Sequence, residues 1–413
     1  MASKYIHMDN NGTTHLCKTA SKMVAEYKDA GNPSATSKWG QKSKKMIEGA
    51  QAFLHKWLGT GPGSYEIIWT SGATESNCWM LRSIAEASKR IGKNKPHIII
   101  SSIEHKSMLA CAESLRAMGV EISHARPTIR GVVEPEEVKR LIKPNTILIS
   151  IMSANNETGA INPVSKIGKL AHDNKIPFHT DATQLFPKER MAPSRNNIDA
   201  MSISFHKLHA LKGIGALIIK KKFLQGYGLE SMIAGSQQGG LRGGTENVCG
   251  IASAFGAMKE IFTDRKKKTK NQQDLIDHFL SSLEKKFPRI DYGEIVLADG
   301  WAPLPTDGAK WTLLGPESKK NRLSNTALIA IITPNKFCNK KLKEFLCSQY
   351  IDVSIGSACN TSDPKASHVL TAIGSPPIVR RGTLRISISD YTTKTEINKL
   401  ISSLVQGIKK QSS

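Results

Sequence analysis

The chain has 413 residues, of which 39% are hydrophobic and 32 are glycine. That length suffices for two domains with substantial cores, because a typical domain holds roughly 100 to 200 residues. No stretch reaches the ~20 apolar residues of a membrane span, and the start MASKYIHMDNNGTTH has neither an apolar signal core nor an Arg- and Ser-rich leader. We therefore expect a globular protein of a reducing, cytoplasmic compartment, without membrane association.

The chain is strongly basic, with 58 Lys and Arg against 35 Asp and Glu and a formal net charge of +23. Such a charge can attract nucleic acid or an acidic protein. Apart from RKKKTK at 265–270 the basic residues form no long cluster, and no RNA-binding signature accompanies them. The pattern favours lysines spread over solvated helix faces, so nucleic acid is not an expected partner.

Residues 40–220 alternate between two hydrophobic periods. Helical periods occur in GQKSKKMIEGAQAFLHKWLG, SNCWMLRSIAEASKRIG, SMLACAESLRAMG, EPEEVKRLI and VSKIGKLAHDN. Short apolar runs typical of strands lie between and after them, as EIIWT, HIIISS, VEISHA, TILISIM, PFHTDA, AMSISF and GALIIKK. This alternation predicts an α/β fold with a mainly parallel sheet covered by helices on both faces.

The later part of the chain has a different pattern. DRKKKTKNQQDLIDHFLSSLEKKF predicts a charged helix, and the Gly- and Pro-rich stretch at about 290–323 predicts a surface insertion. The segments TALIAIIT, KKLKEFLCSQY, TLRISIS and TKTEINKLISSLVQGIKK then indicate a smaller α+β domain. We therefore assign residues 21–260 to a large domain, and residues 1–20 and 261–413 to a small one.

The seven cysteines include no C-x-x-C pair, so the sequence indicates neither a zinc site nor a disulfide framework, and no metal is expected. Cys78 and Cys111 lie in amphipathic helical patterns, which favours a place in the core. Cys359 lies in IGSACNTSDPKASHV, which has almost no large apolar side chain. We expect this cysteine on an exposed, mobile loop at about 356–368.

Several residues follow the predicted strands at the point where each strand ends. They are Ala73 and Thr74 in the turn SGATESN, His105, Asn155, Asp181, Gln184, Ser204, His206 and Lys207. Because ligands of open α/β sheets bind beyond the carboxyl ends of the strands, we expect these residues at one site. An Asp or Asn at a strand end is by itself more typical of a helix cap or turn, and His105 by itself is more typical of a structural histidine. Together they supply a phosphate cradle, a flat ring, a carboxylate and an amine, a combination that suits pyridoxal 5'-phosphate.

This cofactor gives the predicted residues defined roles. Lys207 supplies the amine that bonds the cofactor aldehyde, and Asp181 supplies the carboxylate that keeps the pyridine nitrogen protonated, so that the ring accepts electrons. Gln184 is expected to hydrogen-bond the ring hydroxyl, and His105 to stack on the ring face. The phosphate is expected to contact the turn at Ala73 and Thr74, together with Ser204 and His206.

Ten stretches in a fixed order extend this pattern over nearly the whole chain. They are YIHMDNNGTT, GNPSATSKWG, SGATESN, IEHKSM, ANNETG, HTDATQ, SISFHK with KGIGAL, GLRGGTEN, GSACNTS and RGTLRISIS. In this order they resemble the NifS-type cysteine desulfurases, which are class-V aminotransferases of fold type I. The resemblance implies a large domain with a mainly parallel seven-stranded sheet plus a smaller α+β domain.

The resemblance also implies a reaction, in which sulfur is removed from L-cysteine to give L-alanine and an enzyme-bound persulfide. Lys207 or His105 would move protons, and the thiolate of Cys359 would attack the substrate sulfur. The persulfide sulfur would then pass to an acceptor protein, either an iron–sulfur cluster scaffold or a tRNA-thiolation protein.

Arg385, within the strand pattern TLRIS, is expected to be a buried charge that needs an anion. A bidentate contact with the α-carboxylate of the substrate would supply one, and Asn155 would help hold the same group. An internal ion pair is the alternative explanation.

The glycines of GLRGGTEN let backbone approach a ligand closely, although a flexible surface loop is an equal alternative. The resemblance implies that Thr245 reaches the cofactor phosphate of the neighbouring subunit, which would make the protein a homodimer. The chain departs from the family at Ser37, where a histidine is usual, and at Gln238 and Gly239, where an acid and an arginine are usual.

Two other functions compete with this one. The first is another enzyme of the same fold, such as an aminotransferase, a selenocysteine lyase or a kynureninase-like hydrolase, and an aminotransferase would not need Cys359. The second is an inactive, basic homologue that binds a partner or nucleic acid. The presence of Lys207, Asp181, His105, Cys359 and Arg385 argues against it.

Overall fold

The structure is a computed structural model and describes residues 5–92, 95–297, 308–334, 337–355 and 367–412. The strands are β1 (Ile6–His7), β2 (Tyr65–Thr70), β3 (His97–Ser101), β4 (Glu121–Ala125), β5 (Thr146–Ser150), β6 (Phe178–Asp181), β7 (Ala200–Ser204), β8 (Gly215–Lys220), β9 (Lys310–Leu314), β10 (Thr326–Ile332), β11 (Ile351–Asp352) and β12 (Thr383–Ser387). The helices are α1 (Lys18–Tyr27), α2 (Lys38–Leu58), α3 (Ala73–Arg90), α4 (Lys106–Ala117), α5 (Pro135–Leu141), α6 (Val164–Asp173), α7 (Lys221–Gly226), α8 (Val248–Phe262), α9 (Arg265–Glu284), α10 (Tyr292–Leu297), α11 (Asn339–Ser348), α12 (His368–Ala372), α13 (Pro377–Gly382) and α14 (Lys394–Ser412).

The largest sheet has seven strands in the order β2-β8-β7-β6-β5-β3-β4. Neighbouring strands from β7 to β4 run parallel, whereas β8 is antiparallel to both β2 and β7. Every residue of β3, β5, β6 and β7 is buried. Strands that are covered on both faces need apolar residues on both, which explains their continuous apolar runs. The prediction of a mainly parallel seven-stranded sheet is confirmed.

Helices cover both faces of this sheet. On one face, Trp79 of α3 packs in a cluster with Ile98 and Ile100 of β3. On the other face, Ile99 belongs to a separate cluster with Ile251 of α8. Successive side chains of a strand point to opposite faces, so this division of residues 98 to 100 places the sheet between two helical layers.

Two cysteines belong to the first of these helical layers. Cys111 of α4 is buried among the core residues that surround Trp79, and Cys78 of α3 packs against the same cluster. Both are free thiols. The predicted place of Cys78 and Cys111 in the core is confirmed.

A second, antiparallel sheet has the order β12-β10-β9 and is covered by α9, α11 and α14. Its core includes Phe279, Leu342 and Leu404, one from each of these helices. Near the start of the chain, β1 pairs in parallel with β11, so the N-terminal segment joins this part of the molecule. The domain boundaries after residues 20 and 260 stay a prediction.

The described part of the segment 290–323 differs from the surface insertion that we expected. Tyr292 and Trp311 are 0% and 1% exposed, and β9 pairs with β10 along its whole length. Two large aromatic side chains supply enough apolar area to bury this segment despite its Gly- and Pro-rich composition. These residues therefore belong to the core of the second sheet.

Two residues that depart from the family pattern have local structural roles. Ser37 is the N-cap of α2 and accepts a hydrogen bond from the backbone N–H of Gly40 at 3.1 Å. The carboxamide of Gln238 pairs with both backbone groups of Trp69, accepting from its N–H at 2.6 Å and donating to its carbonyl oxygen at 2.9 Å. Because Trp69 lies on β2, the edge strand, Gln238 extends the hydrogen bonding of the sheet by one partner.

Candidate active site

A cavity of about 540 Å³ opens at the carboxyl ends of the parallel strands of the large sheet. This volume lies within the range of roughly 300 to 1,000 Å³ that is typical of small-molecule sites. The predicted site residues that line it are Ala73, Thr74, His105, Asp181, Gln184, Ser204, His206, Lys207 and Arg385. Residues that directly follow neighbouring parallel strands lie on the same edge of the sheet. This topology brings most of the nine predicted residues together.

The N-terminus of α3 forms one wall of the cavity. The helix follows Gly72, and no side chain caps it in the described structure. The backbone N–H groups at Ala73 and Thr74 are therefore available to an anion, and the helix dipole favours negative charge there. A Cβ at Gly215 would lie 2.5 Å from the Cα of Gly72, so glycine at 215 allows this turn to sit against β8.

Asp181 is the last residue of β6 and is 5% exposed. Asn77 donates a hydrogen bond to Oδ2 at 2.8 Å, and the backbone N–H of Thr183 donates to Oδ1 at 2.9 Å. Two donors on one carboxylate fix its orientation and stabilise its negative charge. Asp181 therefore presents a positioned carboxylate to the cavity.

Lys207 lies in the short 3-10 turn that follows β7. Its Nζ donates to the backbone carbonyl oxygens of Asn11 and Gly12 in the N-terminal segment. Burial and the nearby guanidinium of Arg385 lower the pKa of Lys207 to about 8, although the carboxylates of Asp9 and Asp181 oppose this effect. A measurable fraction of the amine is thus neutral near neutral pH, and the neutral amine is the form that attacks an aldehyde carbon.

Two histidines at the cavity are uncharged at neutral pH. Burial lowers the pKa of His105, an effect that Lys207 strengthens and Asp181 opposes. Burial and the charge of Lys207 also lower the pKa of His206, to about 4. The Nδ1 of His105 accepts a hydrogen bond from the backbone N–H of Ser107 at 3.2 Å, so the neutral ring carries its proton on Nε2.

Arg385 lies on β12 and is 5% exposed. One of its terminal nitrogens donates to the backbone oxygen of Asn156 at 2.9 Å, and the other pairs with the carboxylate of Asp9. Its Nε has no hydrogen-bond partner within the described ranges. The internal ion pair that we considered is therefore present, although Arg385 also lines the cavity.

Comparison with known proteins places this site in a family. The class-V aminotransferase family matches residues 6–292. A cysteine desulfurase named IscS from Dictyoglomus turgidum is 33% identical over 408 residues, which cover 98% of this chain and 95% of that protein. A solved NifS-like protein is 29% identical with a TM-score of 0.82, over 97% of this chain and 98% of its own. SspA, solved in complex with cysteine, is 30% identical with a TM-score of 0.74, over 94% and 100%.

The chain belongs to the NifS-type cysteine desulfurases. The family resemblance that ten sequence motifs indicated is thus confirmed, as is fold type I. Among the described residues, no cluster of three or more His, Cys, Asp or Glu is placed to bind a metal ion. None of the described helices is both long enough and apolar enough to cross a membrane.

In this desulfurase, Asn155 is not at the cavity. Its buried side chain accepts hydrogen bonds from the backbone N–H groups of Glu157 and Thr158, each at 2.9 Å, and donates to the carbonyl oxygen of Ile103 at 3.0 Å. These bonds shape the loop and leave the amide no free group for a ligand. The neighbouring Asn156 lines the cavity instead. The sequence ANNETG offers two asparagines, and only the turn geometry decides which one faces inward.

Other cavity residues were missed by the sequence analysis. They include Asn11, Gly12, Ser71, Thr183 and Lys212. Each lies inside a motif that we had recognised, namely YIHMDNNGTT, SGATESN, HTDATQ and KGIGAL. The motifs therefore indicate which stretches of the chain reach the cavity, but not which of their side chains line it.

One predicted site residue lies away from the cavity, and another is not among the described residues. Thr245 is exposed and does not line the cavity. Its contact with a neighbouring subunit stays a prediction. Cys359 lies outside the described residues, together with most of the loop at about 356–368.

The first described residues after that segment are fixed to the loops that border the cavity. The hydroxyl of Ser367 donates to the carboxylate of Glu157 at 2.7 Å. The ring Nε2 of His368 contacts the carbonyl oxygen of Glu104 at 2.9 Å. Glu157 directly follows the cavity residue Asn156 in the sequence, so the chain downstream of Cys359 begins at the edge of the site.

Proposed function

We propose that this protein binds pyridoxal 5'-phosphate in the cavity and removes sulfur from L-cysteine, leaving L-alanine and a persulfide on Cys359. The observation that carries the proposal is that Asp181, Lys207 and the N-terminus of α3 border one cavity. When bound, the cofactor supplies an electron-accepting ring that stabilises the negative charge developing on the substrate.

The residues at the cavity fit the groups of this cofactor. The free N–H groups at Ala73 and Thr74, with Ser204 and His206, are suited to hold the phosphate. The positioned carboxylate of Asp181 is suited to keep the pyridine nitrogen protonated. Gln184 supplies a carboxamide for the ring hydroxyl and His105 a neutral ring for the ring face. Lys207 supplies the amine for the aldehyde carbon.

The same residues can move protons near neutral pH. With its pKa lowered to about 8, the amine of Lys207 can both take up and return a proton. His105 carries its proton on Nε2, because Nδ1 accepts from Ser107. This nitrogen is free to donate within the cavity.

The choice of L-cysteine as substrate is supported by the SspA structure, in which a relative of similar fold is bound to cysteine. Arg385 and Asn156 both line the cavity and would hold the substrate α-carboxylate, a role that Asn156 would take in place of Asn155. The persulfide of Cys359 would then pass to an acceptor protein, an iron–sulfur cluster scaffold or a tRNA-thiolation protein. We further infer a homodimer, to which Thr245 contributes, in a cytoplasmic compartment.

The experiment that tests this proposal measures the visible spectrum of the purified protein, and then alanine and sulfide release from L-cysteine in the presence of a thiol reductant, which frees the persulfide sulfur as sulfide. Cys359→Ala is expected to keep the cofactor colour and to lose persulfide formation. Cys347→Ala, at an exposed free cysteine, is the matched control and is expected to keep both. A protein that takes up no pyridoxal phosphate contradicts the proposal. A Cys359→Ala variant that releases sulfide and alanine at the full rate contradicts the persulfide on Cys359, and a protein that converts cysteine only to its 2-oxo acid with an oxo-acid acceptor is an aminotransferase instead.

A further inference from the structure

Lys188 is a buried lysine behind the cavity wall, 6% exposed, and it does not line the cavity itself. Its Nζ donates to the backbone oxygen of Gln184 at 2.8 Å and to the side-chain Oε1 of the same residue at 3.0 Å. A buried amino group is costly unless its N–H groups find acceptors. Here both acceptors belong to one residue, and that residue does line the cavity.

The two ends of the Gln184 carboxamide have fixed identities. Its Nε2 lies 3.1 Å from the backbone oxygen of Asn11. A carbonyl oxygen can only accept a hydrogen bond, so the nitrogen of the amide must be the atom that faces Asn11. The amide oxygen then faces Lys188. A rotation of the amide by half a turn would place two acceptor oxygens together at Asn11 and would turn the amide N–H groups toward the N–H donors of Lys188, so both partners oppose it.

The charges around Lys188 leave Gln184 as its partner. Burial lowers the pKa of Lys188 to about 7, and the cations Lys207 and Arg265 add to this effect while Asp390 opposes it. Asp390, however, is held by both terminal nitrogens of Arg265, at 2.7 and 2.8 Å. Its carboxylate is thus engaged elsewhere, and the hydrogen bonds of Lys188 go to Gln184.

We propose that Lys188 is a positioning residue that, together with the backbone oxygen of Asn11, holds the Gln184 carboxamide so that its nitrogen, and not its oxygen, faces Asn11 and the cavity. The inference rests on the proposed function and extends it to a residue outside the cavity. The ligand group opposite Gln184 must then be a hydrogen-bond acceptor, as the ring oxygen of pyridoxal phosphate is when it is deprotonated. In the cofactor-loaded protein, the ring oxygen and the Lys207 nitrogen share one proton. A hydrogen bond donated to the oxygen withdraws electron density from it, and this lowers the pKa of the Lys207 nitrogen.

The test is a pH titration of the visible absorbance of the cofactor-loaded protein. Lys188→Met is expected to raise the pH midpoint of the colour change by about one unit, which is the size of effect that one hydrogen bond produces. Gln184→Met is expected to raise it by a similar amount. The double variant should match either single variant, because all three remove the same hydrogen bond.

The control is Lys268→Met, which removes a lysine that donates to the carbonyl oxygens of Glu260 and Ile261 and does not line the cavity. It should leave the midpoint unchanged. If Lys188→Met does not fold, Lys188→Leu serves instead, since it also removes the N–H donors to Gln184, and the same upward shift is expected.

Two results would overturn the proposal. One is a midpoint that Lys188→Met, or in its place Lys188→Leu, leaves unchanged. The other is a double variant in which the two shifts add, because Lys188 would then act through its charge rather than through Gln184. A wild-type protein that takes up no pyridoxal phosphate contradicts the proposed function itself, so the two failures are distinguishable.

Discussion

Arg385 and Asp9 form an ion pair at the cavity wall, with 2.5 Å between the guanidinium nitrogen and the carboxylate oxygen. The pair joins the second sheet to the N-terminal segment, and the side chain of Arg385 is 7% exposed against 25% for Asp9. The guanidinium that we assign to the substrate carboxylate therefore already has an anionic partner. A substrate carboxylate must therefore compete with Asp9 for the guanidinium, because the Nε of Arg385, which has no hydrogen-bond partner in the described part of the chain, is buried.

This competition predicts that Asp9→Asn increases the affinity for L-cysteine. Loss of the internal carboxylate leaves the guanidinium free for the substrate, and we expect KM to fall about fivefold, which is the effect of a modest ion pair. Steady-state sulfide release over a range of cysteine concentrations measures this. Asp173→Asn removes an exposed ion pair with Lys169 and should leave KM unchanged. A higher KM in Asp9→Asn would show that Asp9 positions Arg385 rather than competing for it.

The large sheet could be predicted from the sequence because its strands are short apolar runs separated by helical periods. The direction of each strand was less predictable than its position. The run that forms β8 resembles the parallel strands beside it, since its residues are also buried on both faces, yet β8 is antiparallel to its neighbours. The burial of Tyr292 and Trp311 was missed because composition in that segment indicated a loop.

The site was predictable where one rule applies, namely that residues following parallel strands share an edge of the sheet. That rule found Asp181, Lys207 and His105. It could not find Asn11, because the N-terminal segment is held at the cavity by the long-range pairing of β1 with β11, far away in sequence. It also could not separate Asn155 from Asn156, since this choice depends on the turn.

The lowered pKa of Lys207 predicts how cofactor binding depends on pH. Only the neutral amine attacks an aldehyde, so the rate at which cofactor-free protein gains colour with pyridoxal phosphate should rise with pH. The midpoint should lie at about 8, well below the ordinary lysine value of 10.5. Stopped-flow absorbance over a pH series measures it. Lys207→Ala is the control and should gain no colour at any pH. A midpoint near 10.5 would mean that Lys207 is solvated rather than buried.

The hydrogen bond between Ser367 and Glu157 predicts a variant that separates sulfur transfer from cofactor binding. Ser367→Ala removes a bond of 2.7 Å at the base of the segment that carries Cys359 and leaves a buried carboxylate oxygen of Glu157 without this donor. We expect turnover to fall about tenfold, as for the loss of one buried hydrogen bond to a charged group. The cofactor spectrum should not change, because neither residue lines the cavity.

The matched control for that experiment is Ser389→Ala, whose hydroxyl contacts Thr392 and lies in a separate turn. It should leave turnover unchanged. If Ser367→Ala lowered cofactor affinity and turnover together, the bond would support the cavity as a whole rather than the chain downstream of Cys359.

A buried histidine predicts that the folded protein loses stability in mild acid. His179 is fully buried between the hydroxyls of Ser150 and Ser202, at 2.8 and 2.9 Å, and burial lowers its pKa from 6.5 to about 4. The unfolded chain therefore binds a proton on this residue at a higher pH than the folded chain does. Stability is fully present above about pH 6.5 and falls as the pH drops toward about 4.

We expect His179 alone to account for a loss on the order of 2 kcal/mol in the free energy of unfolding between about pH 7 and about pH 5. Urea unfolding at the two pH values measures this loss. His179→Gln should be less stable at the higher pH, because it alters the bonds to the two serines, but its stability should depend less on pH than that of the wild type. His278→Gln, on the outer face of α9, should keep the wild-type dependence. An equal pH dependence in His179→Gln and the wild type would assign the acid sensitivity to other groups.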